Sequence, residues 1–259
     1  MRSDREQTHS NGAHPVAVSA AGLGKHYRLG QLRSLKQTTG RLLGQAGAAG
    51  PGVEALDDVD FTVARGEAIG IVGANGSGKS TIVQILAGTT LPTAGVMRVY
   101  GRVLPLLAVG LGFHPDLTGR ENVTLFGSSL GIPRRTITER MDAVTAFAEL
   151  QRHMDTPVKR FSSGMTARLS FSVAVQFPAD IYVFDEVLAV VDGEFRDRCL
   201  KEIRHLHAQG RTVFFVSHSL NQVAEVCDRV MWFERGALKQ IGPSDIVLPA
   251  YERSLTHER

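Results

Sequence analysis

Gly73–Thr81 reads GANGSGKST and meets the pattern G-x-x-x-x-G-K-[S/T] at every fixed position. Each residue type there answers a need of polyphosphate binding. Gly73, Gly76 and Gly78, with Ala74, Asn75 and Ser77 between them, let successive backbone N–H groups converge on an anion with no Cβ in the way. A helix beginning at Lys79 adds the positive end of its dipole. Lys79 is expected to reach the β- and γ-phosphates of a nucleotide and Ser80 to ligate Mg2+, with Thr81 ending the run. Further along, Asp185 and Glu186 close an apolar stretch, IYVFDE. Consecutive strand residues point to opposite sides, so the two carboxylates are expected to divide their work. Asp185 is the expected metal ligand beside the phosphate-loop serine, and Glu186 the group that orients or deprotonates an attacking water.

These residues need a frame, and the pattern around them supplies one. The segment from Leu56 runs strand, turn, strand, Gly-rich loop, helix, with Val59–Val63 alternating and Glu67–Val72 a buried run. Two further apolar runs, IYVFDE and TVFFVSH, are separated by a helix-like segment from Glu194 to Ala208. Buried strands alternating with helices predict an α/β fold with a doubly wound, mostly parallel sheet. The stretch from Gly119 to Phe177 reads mostly as helix, a helical insertion beside that sheet. Upstream, Pro15–Ala20 is expected to form a short strand. A basic, leucine-spaced segment follows over 29–43, then a flexible GQAGAAGPG connector. Residues 1–14 are polar and aperiodic and are expected to be a disordered tail.

Composition narrows the classes. The chain has 259 residues, 43% hydrophobic and 21% charged, which excludes disorder as a whole. No apolar run approaches the roughly 18 residues of a spanning helix, and no secretory signal is visible. Cys199 and Cys227 make neither a disulfide framework nor a zinc site and are expected to pack in helices. The net charge of +3 is uneven: residues 1–53 hold seven of the 29 Lys and Arg but only two of the 26 acids. The basic balance therefore sits in the N-terminal fifth, and no nucleic-acid partner is expected.

Phe161–Arg168 reads FSSGMTAR ahead of an apolar helix, where Ser162 and Ser163 suit an N-cap. With the two motifs above, this octet resembles the signature of ATP-binding-cassette proteins, commonly LSGGQxxR. Ser162, Gly164 and Arg168 hold their places, while Ser163 stands for a Gly and Met165 for Gln. The resemblance covers residues 15–245. It implies a phosphate-loop NTPase cassette with a parallel core, an antiparallel β subdomain and a helical signature subdomain at about 112–178. The basic insertion falls at about 29–53, and residues 246–259 form a closing helix and tail. It implies Asp192 as the D-loop aspartate, His218 as the switch histidine and Tyr27 as the aromatic that stacks on adenine. His114 takes the place of a Gln that senses metal in most cassettes.

Three stretches, GFHPDLTGREN, FSSGMTARLSFSVA and DEVLAVVDGEFRDRC, resemble one branch, the ATP-hydrolysing subunits of bacterial exporters of O-antigen, capsule or teichoic acid. The resemblance implies a homodimer at the cytoplasmic face of the inner membrane. ATP and Mg2+ would lie between Lys79 of one copy and Ser162 with Gly164 of the other. The implied partner is a separate polytopic permease that moves a lipid-linked glycan. In that setting the basic 29–43 segment is expected near anionic lipid or the permease, at about 1 kcal/mol per cation. The alternatives are a cassette of another transporter, or a soluble cassette ATPase acting on ribosomes or DNA.

Overall fold

The computed structural model describes residues 15–28, 52–107, 110, 112–186, 188 and 191–257. The tail and the basic segment at 29–43 lie outside these residues. The main sheet has strands β3 (Ala68–Val72), β5 (Val103–Leu106), β6 (Ile181–Asp185), β7 (Thr212–Val216), β8 (Arg229–Glu234) and β9 (Ala237–Pro243). Their order is β5-β6-β7-β3-β8-β9. All neighbours are parallel except β8 and β9. A smaller antiparallel sheet, ordered β2-β1-β4, joins β1 (Val16–Arg28), β2 (Gly52–Ala64) and β4 (Ala94–Val99). This is the α/β fold expected from the sequence, with a mostly parallel core beside an antiparallel β subdomain.

The central strands are apolar on both faces because each face is covered. Along β6, Ile181 and Val183 enter one core while Tyr182 and Phe184 enter the other, and β7 divides Phe214 and Val216 from Val213 and Phe215 in the same way. One core is closed by α1 (Lys79–Leu86) through Ile82, Val83, Ile85 and Leu86, with the small sheet beside it. The other is closed by helices α2 (Gly119–Ser129), α3 (Arg134–Ala148), α4 (Ser163–Gln176) and α5 (Gly193–Ala208). Helix α6 (Leu220–Val226) lies so close to β3 that a Cβ at Gly70 would meet Val223 Cγ1 at 2.4 Å. Helix α7 (Ser244–His257) packs Tyr251 on Trp232, with ring centroids 5.5 Å apart.

Two boundaries differ from expectation. Strand β1 runs on to Arg28, past Ala20, because register shifts after Ala20 and Leu23 let it bend at Gly22 (φ +57°) and stay paired. Gly52 and Val53, placed by the sequence in the basic insertion, are the first residues of β2 and pair with Arg28 and Tyr27.

The register fixes where chemistry can occur. Val216 pairs with Asp185 on one side and with Ile71 on the other. The carboxyl ends of β6, β7 and β3 are therefore adjacent, and each opens into a segment singled out by the sequence: 185–186, 217–218 and 73–81. That edge is where open parallel sheets bind ligands.

Candidate nucleotide site

The loop from Gly73 to Gly78 is held open by backbone geometry. Gly73 has φ +152°, and a Cβ there would stand 2.3 Å from Phe233 O and 2.5 Å from Ser77 Oγ. Gly78 has φ +108° and caps α1 with no side-chain hydrogen bond, which leaves the first N–H groups of the helix for an anion. Lys79 is buried, and its Nζ donates to Gly73 O at 2.8 Å and Ala74 O at 2.9 Å. Burial lowers its pKa, opposed by the charges of Glu186 and Asp185. Ser77 Oγ is buried without a hydrogen-bond partner among the described residues. Ala74, Asn75 and Gly76 are exposed along the loop, Ser80 is exposed on the first turn of α1, and Thr81 is half-buried.

Asp185 ends β6 half-buried, and burial followed by the neighbouring Glu186 charge raises its pKa to about 6, with Lys79 and His218 opposing. Neither the Asp185 carboxylate nor the Ser80 hydroxyl has a side-chain hydrogen-bond partner among the described residues. Glu186 is not a strand residue as expected. Its φ of +53° is left-handed, and its N–H donates to Val216 O at 3.1 Å. Glu186 Oε1 lies 2.8 Å from His218 Nε2, and a cavity of about 240 Å3 opens beside the pair, lined also by Arg196, Ser217 and Gln222.

The serine turn and the aspartate turn both start helices. Ser162 is the N-cap of α4 and accepts from Met165 N–H at 3.1 Å, while Ser163 is the first helical residue. Ser162 and Ser163 are exposed, Gly164 and Met165 half-buried. Among the described residues none of these four is hydrogen-bonded to the phosphate loop of the same chain. Asp192 is the N-cap of α5, where Oδ1 accepts from Phe195 N–H at 3.0 Å.

His114 is exposed in the loop between β5 and α2, with Nδ1 accepting from Asp116 N–H at 3.3 Å. The residue that builds this loop was not singled out by the sequence. Asn122, fully buried, accepts from His114 N–H at 2.6 Å and turns its amide nitrogen to the carbonyls of His114, Leu117 and Thr118 at 2.9–3.0 Å. The same loop is strapped to the segment before the serine turn. Val158 N–H donates to Leu117 O and Lys159 N–H to Pro115 O, each at 2.9 Å, and Lys159 Nζ meets Asp116 at 2.7 Å. Tyr27 lies on β1 with its hydroxyl donating to Gln84 of α1 at 3.4 Å, and Lys25 Nζ stands 4.9 Å from its ring centre.

The ABC transporter family model matches residues 56–189. The O-antigen export system ATP-binding protein RfbB of Klebsiella pneumoniae is 44% identical over 201 residues, covering 78% of this chain and 82% of that protein. The chain belongs to the ABC transporter family. As a member it is a cassette ATPase, as the sequence motifs predict. The teichoic acids export ATP-binding protein TagH of Enterococcus faecalis is 41% identical over 233 residues, 90% of this chain and 52% of its own length. Among solved structures, a dimeric ATP-binding cassette in a post-hydrolysis state bound to ADP and Pi superposes with a TM-score of 0.69 at 20% identity, covering 88% of this chain and 98% of that one. This likeness shows the shared fold. No helix of the described part of the cassette is long and apolar enough to cross a membrane. Both cysteines are buried, Cys199 within α5 and Cys227 at the end of α6, and burial raises both thiol pKa values.

Proposed function

We propose that this cassette is the ATP-hydrolysing subunit of an exporter that carries a lipid-linked polysaccharide of the O-antigen, capsular or teichoic-acid type through a separate membrane permease. The observation that carries the reading is the 44% identity to an O-antigen export subunit across 82% of that protein. The teichoic-acid relative supports the same class of cargo. The cytoplasmic face of the inner membrane, where ATP is present, is the corresponding location.

In the proposed reaction Gly73–Thr81 wrap the phosphates with backbone N–H groups, and Ser77 Oγ, without a partner among the described residues, fits a donor to that anion. Lys79 exchanges its two carbonyl partners for the β- and γ-phosphates. Ser80 and Asp185, with no side-chain hydrogen-bond partner among the described residues, offer hard oxygens of the kind Mg2+ selects; when bound, that ion would neutralise phosphate charge. Glu186 orients and deprotonates the attacking water, and His218 holds Glu186 and donates toward the γ-phosphate. Tyr27 stacks on the base. Ser162, Ser163, Gly164 and Met165 act on the nucleotide of a second copy, in keeping with the absence of any bond from them to the loop of the same chain among the described residues. Asp192 lies beside that junction. His114, on a loop strapped to the serine turn, reports the state of the site to the permease.

The test is a tagged Glu186→Gln chain expressed in a glycan-exporting host. Solubilised membranes should yield a multispanning permease with glycan-assembly enzymes nearby, by mass spectrometry. Recovery of ribosomal proteins, or of no membrane partner, would overturn the exporter reading and leave the ATPase.

A further inference from the structure

Arg168 occupies an unusual junction. From the second turn of α4 its guanidinium forks to two carboxylates on two other helices: one nitrogen pairs with Glu149, the other lies 2.6 Å from Asp192 Oδ2. The plane of the group covers the Phe195 ring, 4.8 Å from its centre. Glu149 ends α3 in a left-handed conformation (φ +57°) and also pairs with Arg198 of α5, whose other terminal nitrogen donates to Phe147 O at 2.8 Å. Two cations and two anions thus close a balanced quartet over α3, α4 and α5. Beneath it, Phe171 stacks on Phe184 at 5.5 Å and lies edge-on to Phe195 at 6.3 Å, and Phe184 is the residue before Asp185.

We propose that Arg168 is a positioning residue that locks the serine turn of α4 to Asp192, so that the turn offered to a second copy moves as one body with the start of α5, where the Asp192 carbonyl accepts from the N–H of Arg196, a residue lining the cavity beside this copy's own Glu186–His218 pair. The inference rests on the dimeric reading above. Its logic is mechanical. Ser162 and Arg168 sit on one helix roughly 9 Å apart along its axis, and Asp192 is held at both oxygens, one by Arg168 and one by the Phe195 N–H. A rigid helix with a forked end passes displacement of the serine turn directly to Asp192. Lysine, a single point charge, cannot bridge both carboxylates. The pairing adds little to the fold itself, because Glu149 and Asp192 are 48% and 53% exposed and the aromatic floor supplies the packing.

The experiment compares full-length Arg168→Ala, Asp192→Asn, their double variant and Glu149→Gln. Asparagine preserves the cap on α5 while removing the charge that Arg168 grips, so Asp192→Asn remains informative if Arg168→Ala folds poorly. Each of the first two should lower kcat about tenfold with KM and Tm nearly unchanged, the double variant should be no slower than the worse single one, and Glu149→Gln should stay within about twofold. Additive losses in the double variant, an equal loss in Glu149→Gln, or a kcat within about twofold for Asp192→Asn would overturn the coupling. Dimerisation of the Glu186→Gln chain on adding ATP is measured in parallel. If that chain stays monomeric, the dimeric reading fails and the coupling falls with it; if it dimerises while the cycle is additive, only the coupling fails.

Discussion

His218 Nε2 stands 2.8 Å from Glu186 Oε1 at the carboxyl edge of the sheet, both side chains open to solvent. The left-handed turn at Glu186 and the loop after β7 bring together residues far apart in the chain. Glu186→Gln should lower phosphate release at least about a hundredfold while leaving ATP binding intact, and His218→Ala should lower it by about ten- to a hundredfold. Single-turnover hydrolysis and equilibrium nucleotide binding separate the two effects. A Glu186→Gln chain that hydrolyses at the wild-type rate would remove Glu186 from the reaction.

Asp185 carries a pH signature. Its folded pKa of about 6 lies above the ordinary 3.8, chiefly through burial. A raised carboxyl pKa means that folding penalises the ionised form, so the contribution of this group to stability falls as pH climbs through that interval. At pH 7.5, without nucleotide, Asp185→Asn should therefore stabilise the chain by about 1–2 kcal/mol, after allowing for solvent screening of a half-buried group. Well below the ordinary value the gain should vanish. Mg2+-dependent nucleotide affinity should run the other way, weakening as pH drops through about 6 and the carboxylate is protonated. Thermal melts and titration calorimetry across this range check both signs.

Asn122 holds the loop of His114 from inside. Asn122→Ala leaves the His114 N–H and three carbonyls to find new partners and opens a small void, at a cost of about 2–4 kcal/mol. Asn122→Asp keeps the acceptor for the His114 N–H but sets a carboxylate against the three carbonyls, and should be at least as damaging. Urea denaturation gives the loss directly, and an Ala variant as stable as wild type would deny the loop this anchor.

Two loop glycines should respond differently to alanine. At Gly73 the new Cβ would collide with Phe233 O and Ser77 Oγ, whereas at Gly76 nothing lies within 4 Å and only the positive φ of +77° resists. Gly76→Ala should cost about 1–2 kcal/mol in stability and retain measurable ATP binding. Gly73→Ala should abolish ATP binding through a displaced loop.

The phosphate loop was legible because its chemistry is written in contiguous residues whose context, buried strand before and helix after, is local. The parallel core was legible in the same way, from runs such as TVFFV that are apolar on both faces. What escaped was set by tertiary partners. Asn122 is an unremarked polar residue whose acceptors are backbone atoms. Glu149 and Arg198 acquire roles only where α3, α4 and α5 converge. Strand alternation was the ground for dividing the roles of Asp185 and Glu186, but β6 ends at Asp185 and the backbone turns left-handed at Glu186, so alternation does not extend to that residue. The end of β1 was set too early, since Gly22 and Gly24 break the alternation where the strand bends through register shifts and continues.

The pairing of Arg28 with Gly52 has a consequence for how this chain tolerates change. Because the antiparallel ladder holds these two residues as neighbours, the sheet itself closes the connection between them, like a clasp. Doubling the length of such an excursion adds only roughly 0.6 kcal/mol of closure entropy, and it leaves the register of β1, β2 and β4 untouched. The sheet thereby fixes its own register at this junction, and a connection of another length can be joined there with Arg28 and Gly52 still paired.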